Sequence, residues 1–348
     1  MPSSTNPQSP EPTQPSVPER RYDPISGRWV VIAENRTARP HDLPIKIDEP
    51  QLESCSFCAG RESETTEPVA VWAPTASPSH DHEWQVRVVP NLYPAFVPAG
   101  SLTPDSPVIG KEHSLGLHDV VIESPQHQRR MTELTVAETR IVFEAYRGRL
   151  QDYAKADAIA YGFFFKNCGS AAGMSREHIH SQMVGLPFVP PVVQTELDNS
   201  KRFFLETGRC VFCDLIRRER DEKLRIVAES DQLIAFCPYA SRFSYETWIL
   251  PKKHLFFFEQ TANDLLLELA QMVHEVLQGL EQELNRPAYN YLLHTNPFDT
   301  CRKDHYHWHI EIIPRLARLA GLEWGTGIHI NSVSPEAAAV RLRKQTGC

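Results

Sequence analysis

The sequence predicts an α+β protein of two tandem modules, each β-rich with one long helix packed against its sheet. Three observations carry that expectation. The first is an ordered repeat: a Cys-x-x-Cys pair, strand-like runs, a lone histidine, an amphipathic helix, another strand and a His-x-His occur once in each half. The second is spacing. Asn167 precedes His178 by 11 residues and Asn296 precedes His307 by 11, while His127 precedes His178 by 51 and His254 precedes His307 by 53. The third is helix-start signals in matching places, Thr135-x-x-Glu138 and Thr261-x-x-Asp264.

The chain has 348 residues, enough for two domains of ordinary size. A net charge of −8 argues against a general nucleic-acid binder, so a phosphorylated substrate must be met by local positive groups. No segment is long and apolar enough to read as a membrane span, and no apolar export signal stands at the N-terminus. Of eight cysteines, Cys55/Cys58 and Cys210/Cys213 form Cys-x-x-Cys pairs, and the other four are scattered. That is too sparse for a secreted disulfide scaffold, and the pairs read as metal ligands in a reducing cytoplasm.

Residues 1–20, rich in Pro, Ser, Gln and Thr, read as a disordered tail, followed by modules at 21–190 and 191–348. Arg28–Ile32 is a strand signal after a Pro/Gly turn. Arg36 and Arg39, three apart in the next loop, have the placement of a diphosphate clamp, though a solvated basic loop is the plainer reading of that segment alone. Strands follow at Trp84–Val89 and Gly116–Ile122, the latter running on to His127. The first helix runs to about residue 153, with Ile141, Val142, Ala145, Tyr146 and Leu150 on one face. Phe163–Phe165 is a buried strand, and Asn167, Gly169, Gly173 and Ser175 form a small-residue turn. Alternation then puts His178 and His180 on one face. Residues 187–200, with three prolines, read as a linker. The second half repeats the order, with strands at 224–237, 243–250 and 289–295 and a helix facing the core through Leu265, Leu269, Met272, Val273 and Val276.

Each half thus offers two thiolates and two imidazoles: Cys55, Cys58, His127 and His178, then Cys210, Cys213, His254 and His307. That donor set suits a closed tetrahedral zinc site whose job is structural, so two zinc ions per chain are expected. His180 is left as an unligated imidazole beside a rigid strand, the best nucleophile in the chain. The Asn167–Ser175 turn can donate to phosphate oxygens. Gln182, on the same strand face, can donate to a phosphoryl group but cannot act as a general acid, which suits a leaving group needing no proton, such as a sugar phosphate. In the second half Glu311 stands where Gln182 does, and a carboxylate there repels phosphate. That half reads as scaffold or acceptor-side wall, with a structural role for His309.

FKNCGSAAGMSREHIHSQ (165–182), RYDPISGRWVVIAENRTARP (21–40) and HWHIEIIPRLARLAGLEWGTGIHIN (307–331) resemble segments of the galactose-1-phosphate uridylyltransferase family, over about residues 20–340. The resemblance implies two histidine-triad-like modules with antiparallel sheets. It also implies a ping-pong reaction in which His180 carries a nucleotidyl group from UDP-glucose to galactose 1-phosphate. By position, Cys55, Cys58, His127 and His178 match the family's zinc ligands, and Gln182 matches the glutamine supporting the intermediate. Arg36, Arg39, Asn91, Asn167, Gly173 and Ser175 match nucleotide and phosphate contacts. Glu196, His254, His307 and His309 match positions that hold a second metal in some members, and Cys210 and Cys213 favour a zinc site with His254 and His307 instead. A homodimer, with Trp324–Gly327 near the acceptor site, is carried over likewise. Asn91-Leu92-Tyr93-Pro94 has the form of a plant ADP-glucose phosphorylase of the family, whereas His307–Glu311 has the form of bacterial transferases. The base, and whether the acceptor is a sugar 1-phosphate or phosphate, stay open. A histidine-triad-type nucleotide hydrolase and a non-catalytic nucleotide-binding module are the other readings.

Overall fold

The computed structural model describes residues 17–38, 55–73, 83–98, 113–298 and 304–346. Ten strands form one continuous sheet, in the order β3 (Ala70–Trp72), β4 (Val86–Pro90), β5 (Leu117–Ile122), β7 (His180–Leu186), β6 (Tyr161–Cys168), β11 (Tyr289–His294), β12 (His309–Pro314), β10 (Thr247–Pro251), β9 (Leu233–Phe236) and β8 (Ile226–Glu229). All neighbours pair antiparallel. Read inward from either edge, the order is the same, and β6 meets β11 at the centre with Phe164 opposite Leu293 and Asn167 opposite Asn290. The sequence pointed to a separate sheet for each half. The two are instead one sheet, because each half ends in an apolar strand that would otherwise be an open edge.

Period-2 alternation divides the strands between two cores. Val86, Val88, Val121, Phe164, Met183, Ala235, Ile249, Ile310 and Ile312 face one layer, built with α1 (Val136–Ala154), α4 (Asn263–Leu284) and α6 (Pro335–Thr346). Alternate residues face the other side. There Val89, Val120 and Ile122 pack with Phe57, and Ile234, Phe236, Trp248 and Leu250 pack with Phe212 under α2 (Pro191–Thr207) and α3 (Val211–Glu222). His180 and Gln182 lie on this second side, three and one residues before Met183, which faces the first.

The Thr135 capping box forms as its spacing requires, and the apolar faces expected of α1 and α4 are buried. Thr261 does not cap α4. The helix begins one residue later at an Ala262 N-cap without a side-chain bond, and Thr261 closes a preceding 3-10 turn. The expected linker 187–200 is mostly helix α2. Pro191 sits at its first position, where the missing N–H costs nothing, and Val193, Leu197 and Ser200 bury one face. The expected tail also ends earlier than residue 20, since β1 (Glu19–Asp23) pairs with β2 (Arg28–Ile32); residues 1–16 lie outside the described residues. β13 (His329–Asn331) adds parallel to β2, tying the C-terminal segment, including the short α5 (Gly321–Thr326), to the N-terminal hairpin. Arg21 fastens the same corner, bonding Glu336 at 2.9 Å.

Candidate active site and metal centres

The first Cys-x-x-Cys knuckle lies beside the start of β7, with His178 two residues before the strand. Cys55 Sγ is 3.5 Å from His178 Nδ1, Cys58 Sγ is 3.5 Å from His127 Nδ1, and Cys58 Sγ is 3.6 Å from His178 Nδ1. Tetrahedral zinc with bonds of about 2.3 Å to sulfur and 2.0 Å to nitrogen places its ligand atoms about 3.5 Å apart, so the set fits that ion. His178 Nε2 donates to Ser124 O at 2.8 Å, which leaves the Nδ1 lone pair facing the thiols. Burial and the neighbouring Cys55 push the Cys58 thiol up to about 11. A bound cation reverses that cost by holding both sulfurs as thiolates.

The second set gathers the same way. Cys210, Cys213, His254 and His307 place one ligand atom each within 4.8 Å of one another, with Cys213 Sγ 3.2 Å from His254 Nδ1. Glu196 is not with them. It is buried with His294 and His309 in a third cluster, accepting from His294 Nδ1 at 3.0 Å and from the Tyr306 hydroxyl at 2.8 Å. The family resemblance matches Glu196, with His254, His307 and His309, to second-metal positions, whereas the Cys210 and Cys213 pair favours His254 and His307 without it, and the latter grouping is the one found. The fold separates them because α2 delivers Glu196 to the end of β11, whereas the second knuckle pulls His307 the other way. Burial alone would raise the Glu196 carboxyl, but the His294 imidazolium draws it down to about 2. Burial holds the His309 imidazole down at about 4. Glu196, His294 and His309 are thus a second kind of metal-capable group, with carboxylate and imidazole donors.

An open cleft of ≈ 290 Å³ lies over the first half, lined by residues that include Ser56, Phe57, Thr66, Asn91, Tyr93, Ser175, Arg176, His180 and Gln182. At its base, His180 Nδ1 donates to His178 O at 2.7 Å, leaving Nε2 with the free lone pair. Burial lowers the His180 pKa from its usual value, so the ring is neutral at neutral pH. Phe57, carried between the two cysteines, stands edge-on to His178 at 5.9 Å and to His180 at 5.5 Å. The knuckle therefore builds one wall of the cleft as well as the metal set. Below the floor, Lys166 pairs with buried Glu123 and donates to His180 O at 3.0 Å. Glu123 also accepts from the Tyr146 hydroxyl and, at 2.6 Å, from Ser181 Oγ.

Of the residues singled out from sequence, Asn91, Ser175, His180 and Gln182 meet in the cleft. Asn167 and Gly173 lie behind it, with Asn290 Nδ2 donating to Asn167 Oδ1 at 2.8 Å and to Ala172 O at 2.9 Å. Gly169 and Gly173 take φ of +84° and +87°, left-handed conformations that turn the chain between β6 and β7. Arg36 is exposed in a 3-10 turn after β2 and does not line the cleft; Arg39 lies outside the described residues. Sequence reasoning missed Arg176, whose guanidinium lies over Phe57 at 5.1 Å from the ring centre and brings positive charge to the cleft. It also missed His118, which reaches Gln182 from β5 at 2.8 Å, and His294. The alternation of His118, Val120 and Ile122 was a usable signal for His118, but only once the β5–β7 register was known.

The second half keeps the backbone pattern and closes the space. His309 Nδ1 faces His307 O at 3.2 Å, as His180 faces His178. Trp248 pairs with Glu311 in the register where Val120 pairs with Gln182, and its indole stacks on His309 at 5.0 Å. Glu311 is held by Arg242 at 2.6 Å rather than presented to a ligand.

Comparison with known proteins points to one family. The family model for the galactose-1-phosphate uridyl transferase N-terminal domain matches residues 9–190, and one described as a domain of unknown function (DUF4921) matches 109–346. An ADP-glucose phosphorylase of Arabidopsis thaliana is 36% identical over 94% of this chain and 93% of its own. A galactose-1-phosphate uridylyltransferase of Thermotoga maritima is 26% identical over 94% and 98%. The crystal structure of an Arabidopsis thaliana ADP-glucose phosphorylase with bound ADP-glucose superposes with a TM-score of 0.82 at 35% identity, covering 94% of this chain and 99% of that one. A uridylyltransferase structure gives 0.73 at 26% identity, covering 94% and 98%. With a family model over more than half its length and a relative above 30% identity along nearly all of it, this chain belongs to the galactose-1-phosphate uridylyltransferase family of nucleotidyltransferase-type enzymes.

Proposed function

We propose that this enzyme moves a nucleotidyl group from a nucleoside-diphosphate hexose through a covalent His180 intermediate. The observation that carries it is the His180 tautomer: with Nδ1–H given to His178 O, the neutral Nε2 is the nucleophile, at the base of a cleft it shares with Gln182. Nε2 attacks the α-phosphorus, a P–N bond forms, and the P–O bond to the hexose 1-phosphate breaks with the electron pair leaving on that phosphate. An acceptor phosphate oxygen then attacks the same phosphorus and the P–N bond breaks, regenerating His180. Gln182 donates to the phosphoryl oxygens, and Ser175, Asn91 and Arg176 position the anion. Asn167 and Gly173 shape the turn that holds Ser175.

The donor is read as UDP-glucose and the acceptor as galactose 1-phosphate, in accord with the uridylyltransferase relatives. A second reading, ADP-glucose phosphorylase with phosphate as acceptor, is supported by the higher identity to the plant enzyme. Each Cys₂His₂ set would hold zinc by four protein ligands, leaving no open position, so the ion would clamp the knuckles and the His-x-His backbone. The module boundaries, a homodimer and a cytoplasmic location belong to the same reading. No described helix is long and apolar enough to cross a membrane.

The test is the intact mass of the protein after incubation with UDP-glucose or ADP-glucose alone. A UMP-sized adduct, absent in His180→Gly and discharged by galactose 1-phosphate, is the expected result. An AMP-sized adduct discharged by phosphate moves the reading to the phosphorylase. Turnover with no adduct from either donor overturns the covalent mechanism.

A further inference from the structure

We propose that His118 is a positioning residue that sets which face of the Gln182 amide the substrate meets. A glutamine amide can turn either its oxygen or its NH₂ to a ligand, and the two are opposites to an anionic phosphoryl group: one repels, the other donates. The choice is made outside Gln182. Ala95 N–H donates to His118 Nδ1 at 3.0 Å. A backbone N–H can only donate, so Nδ1 carries the lone pair and Nε2 carries the hydrogen. His118 Nε2 lies 2.8 Å from the Gln182 side chain, so the Gln182 atom facing it is the carbonyl oxygen. That leaves the NH₂ for the cleft that Gln182 lines.

A third group stands beside the same nitrogen, and the assignment rests on Ala95 rather than on it. Asn91 Oδ1 accepts from Tyr93 N–H at 2.9 Å, so the Asn91 atom 3.2 Å from His118 Nε2 is its NH₂. Two hydrogen-bearing nitrogens cannot bond, and the His118 hydrogen is directed to Gln182 alone. The backbone holds this relay in register. His118 pairs with Val184 across β5–β7, two residues from Gln182 on the same face, and Asn91 N–H donates to His118 O at 2.8 Å. The loop from Asn91 to Val97, whose Leu92 and Tyr93 stand exposed at the cleft, is therefore joined through one imidazole to the amide that faces the phosphate.

The inference rests on the proposed His180 chemistry, and its test separates the two. The rate of adduct formation on His180 is followed by intact mass for the wild type, His118→Phe, Gln182→Ala and the double variant, with His118→Gln as the conservative control. His118→Phe is expected to slow the step by roughly tenfold to a hundredfold, the effect of misdirecting one donor to a developing charge. Added to Gln182→Ala, it is expected to cost about threefold at most. His118→Gln, which can accept from Ala95 N–H and donate to Gln182, is expected to recover most of the rate. Independently, ¹⁵N NMR of the free protein is expected to show His118 protonated at Nε2. Independent, multiplying losses in the double variant, or an Nδ1-protonated His118, overturn the relay while leaving the His180 chemistry standing. No adduct on the wild type overturns that chemistry, and the relay with it.

Discussion

Removing the Lys166 ammonium tests what lies beneath the nucleophile. Lys166 and Glu123 are both fully buried, with side chains 2% and 0% exposed, so neither can turn to water if its partner is lost. In Lys166→Met the Glu123 carboxylate keeps the hydroxyls of Tyr146 and Ser181, two charge-assisted bonds of about 1.5–3 kcal/mol net each, against a desolvation cost of several that they do not fully offset. The His180 carbonyl also loses its 3.0 Å donor. The cost is set at about 3–5 kcal/mol, the range for breaking a buried ion pair from one side. In urea, with a slope of about 3–4 kcal/mol per molar for a chain this long, that is a midpoint lower by about 1 M. Adding Glu123→Gln removes the stranded charge, so the double variant is expected to recover about 2 kcal/mol relative to Lys166→Met. A Lys166→Met cost below about 1 kcal/mol, or a double variant equal to the sum of the singles, would refute the reasoning.

Glu259 is buried with Oε2 unpaired, and burial raises its carboxyl from 4.5 to about 7. The folded form thus prefers the neutral acid, so its contribution to stability falls as pH rises from 4.5 to 7, by up to about 3 kcal/mol. Glu259→Gln should be more stable than the wild type at pH 8 and flatten that slope, which denaturant melts across pH would show; equal slopes would count against it. Cys58→Ser should reduce bound zinc, measured by elemental analysis, from two ions per chain to one and lower the Tm by about 5–10 °C. Arg176→Gln should raise the KM for the nucleotide sugar about tenfold at low salt and weaken its salt dependence, while the Tm stays unchanged.

Much of this was readable because it is local or periodic. Two knuckles and two His-x-His pairs at matching offsets located both Cys₂His₂ sets, and the Thr135 box located the start of α1 to the residue. What escaped depends on neighbours far along the chain. Helix α2 looked like a linker because its prolines stand at the start, where a helix tolerates them, and its apolar face is short. His118 lies 64 residues from Gln182, and only the antiparallel register of β5 with β7 makes them touch. His294 joins Glu196 across 98 residues, a pairing no spacing rule anticipates. Fusion of the two half-sheets at β6–β11 is likewise a tertiary choice, made by burying one more pair of edges.

That fusion has a genetic consequence. In a pair of identical chains related by a two-fold axis, every substitution is made twice, and a change that fills one pocket fills its mirror image. Here the mirrored strand positions are separate codons. Val120 could stay small and keep a cleft open while Trp248, at the matching place, closed the other over His309. One side of the sheet can thereby be filled by packing while the other keeps its cleft.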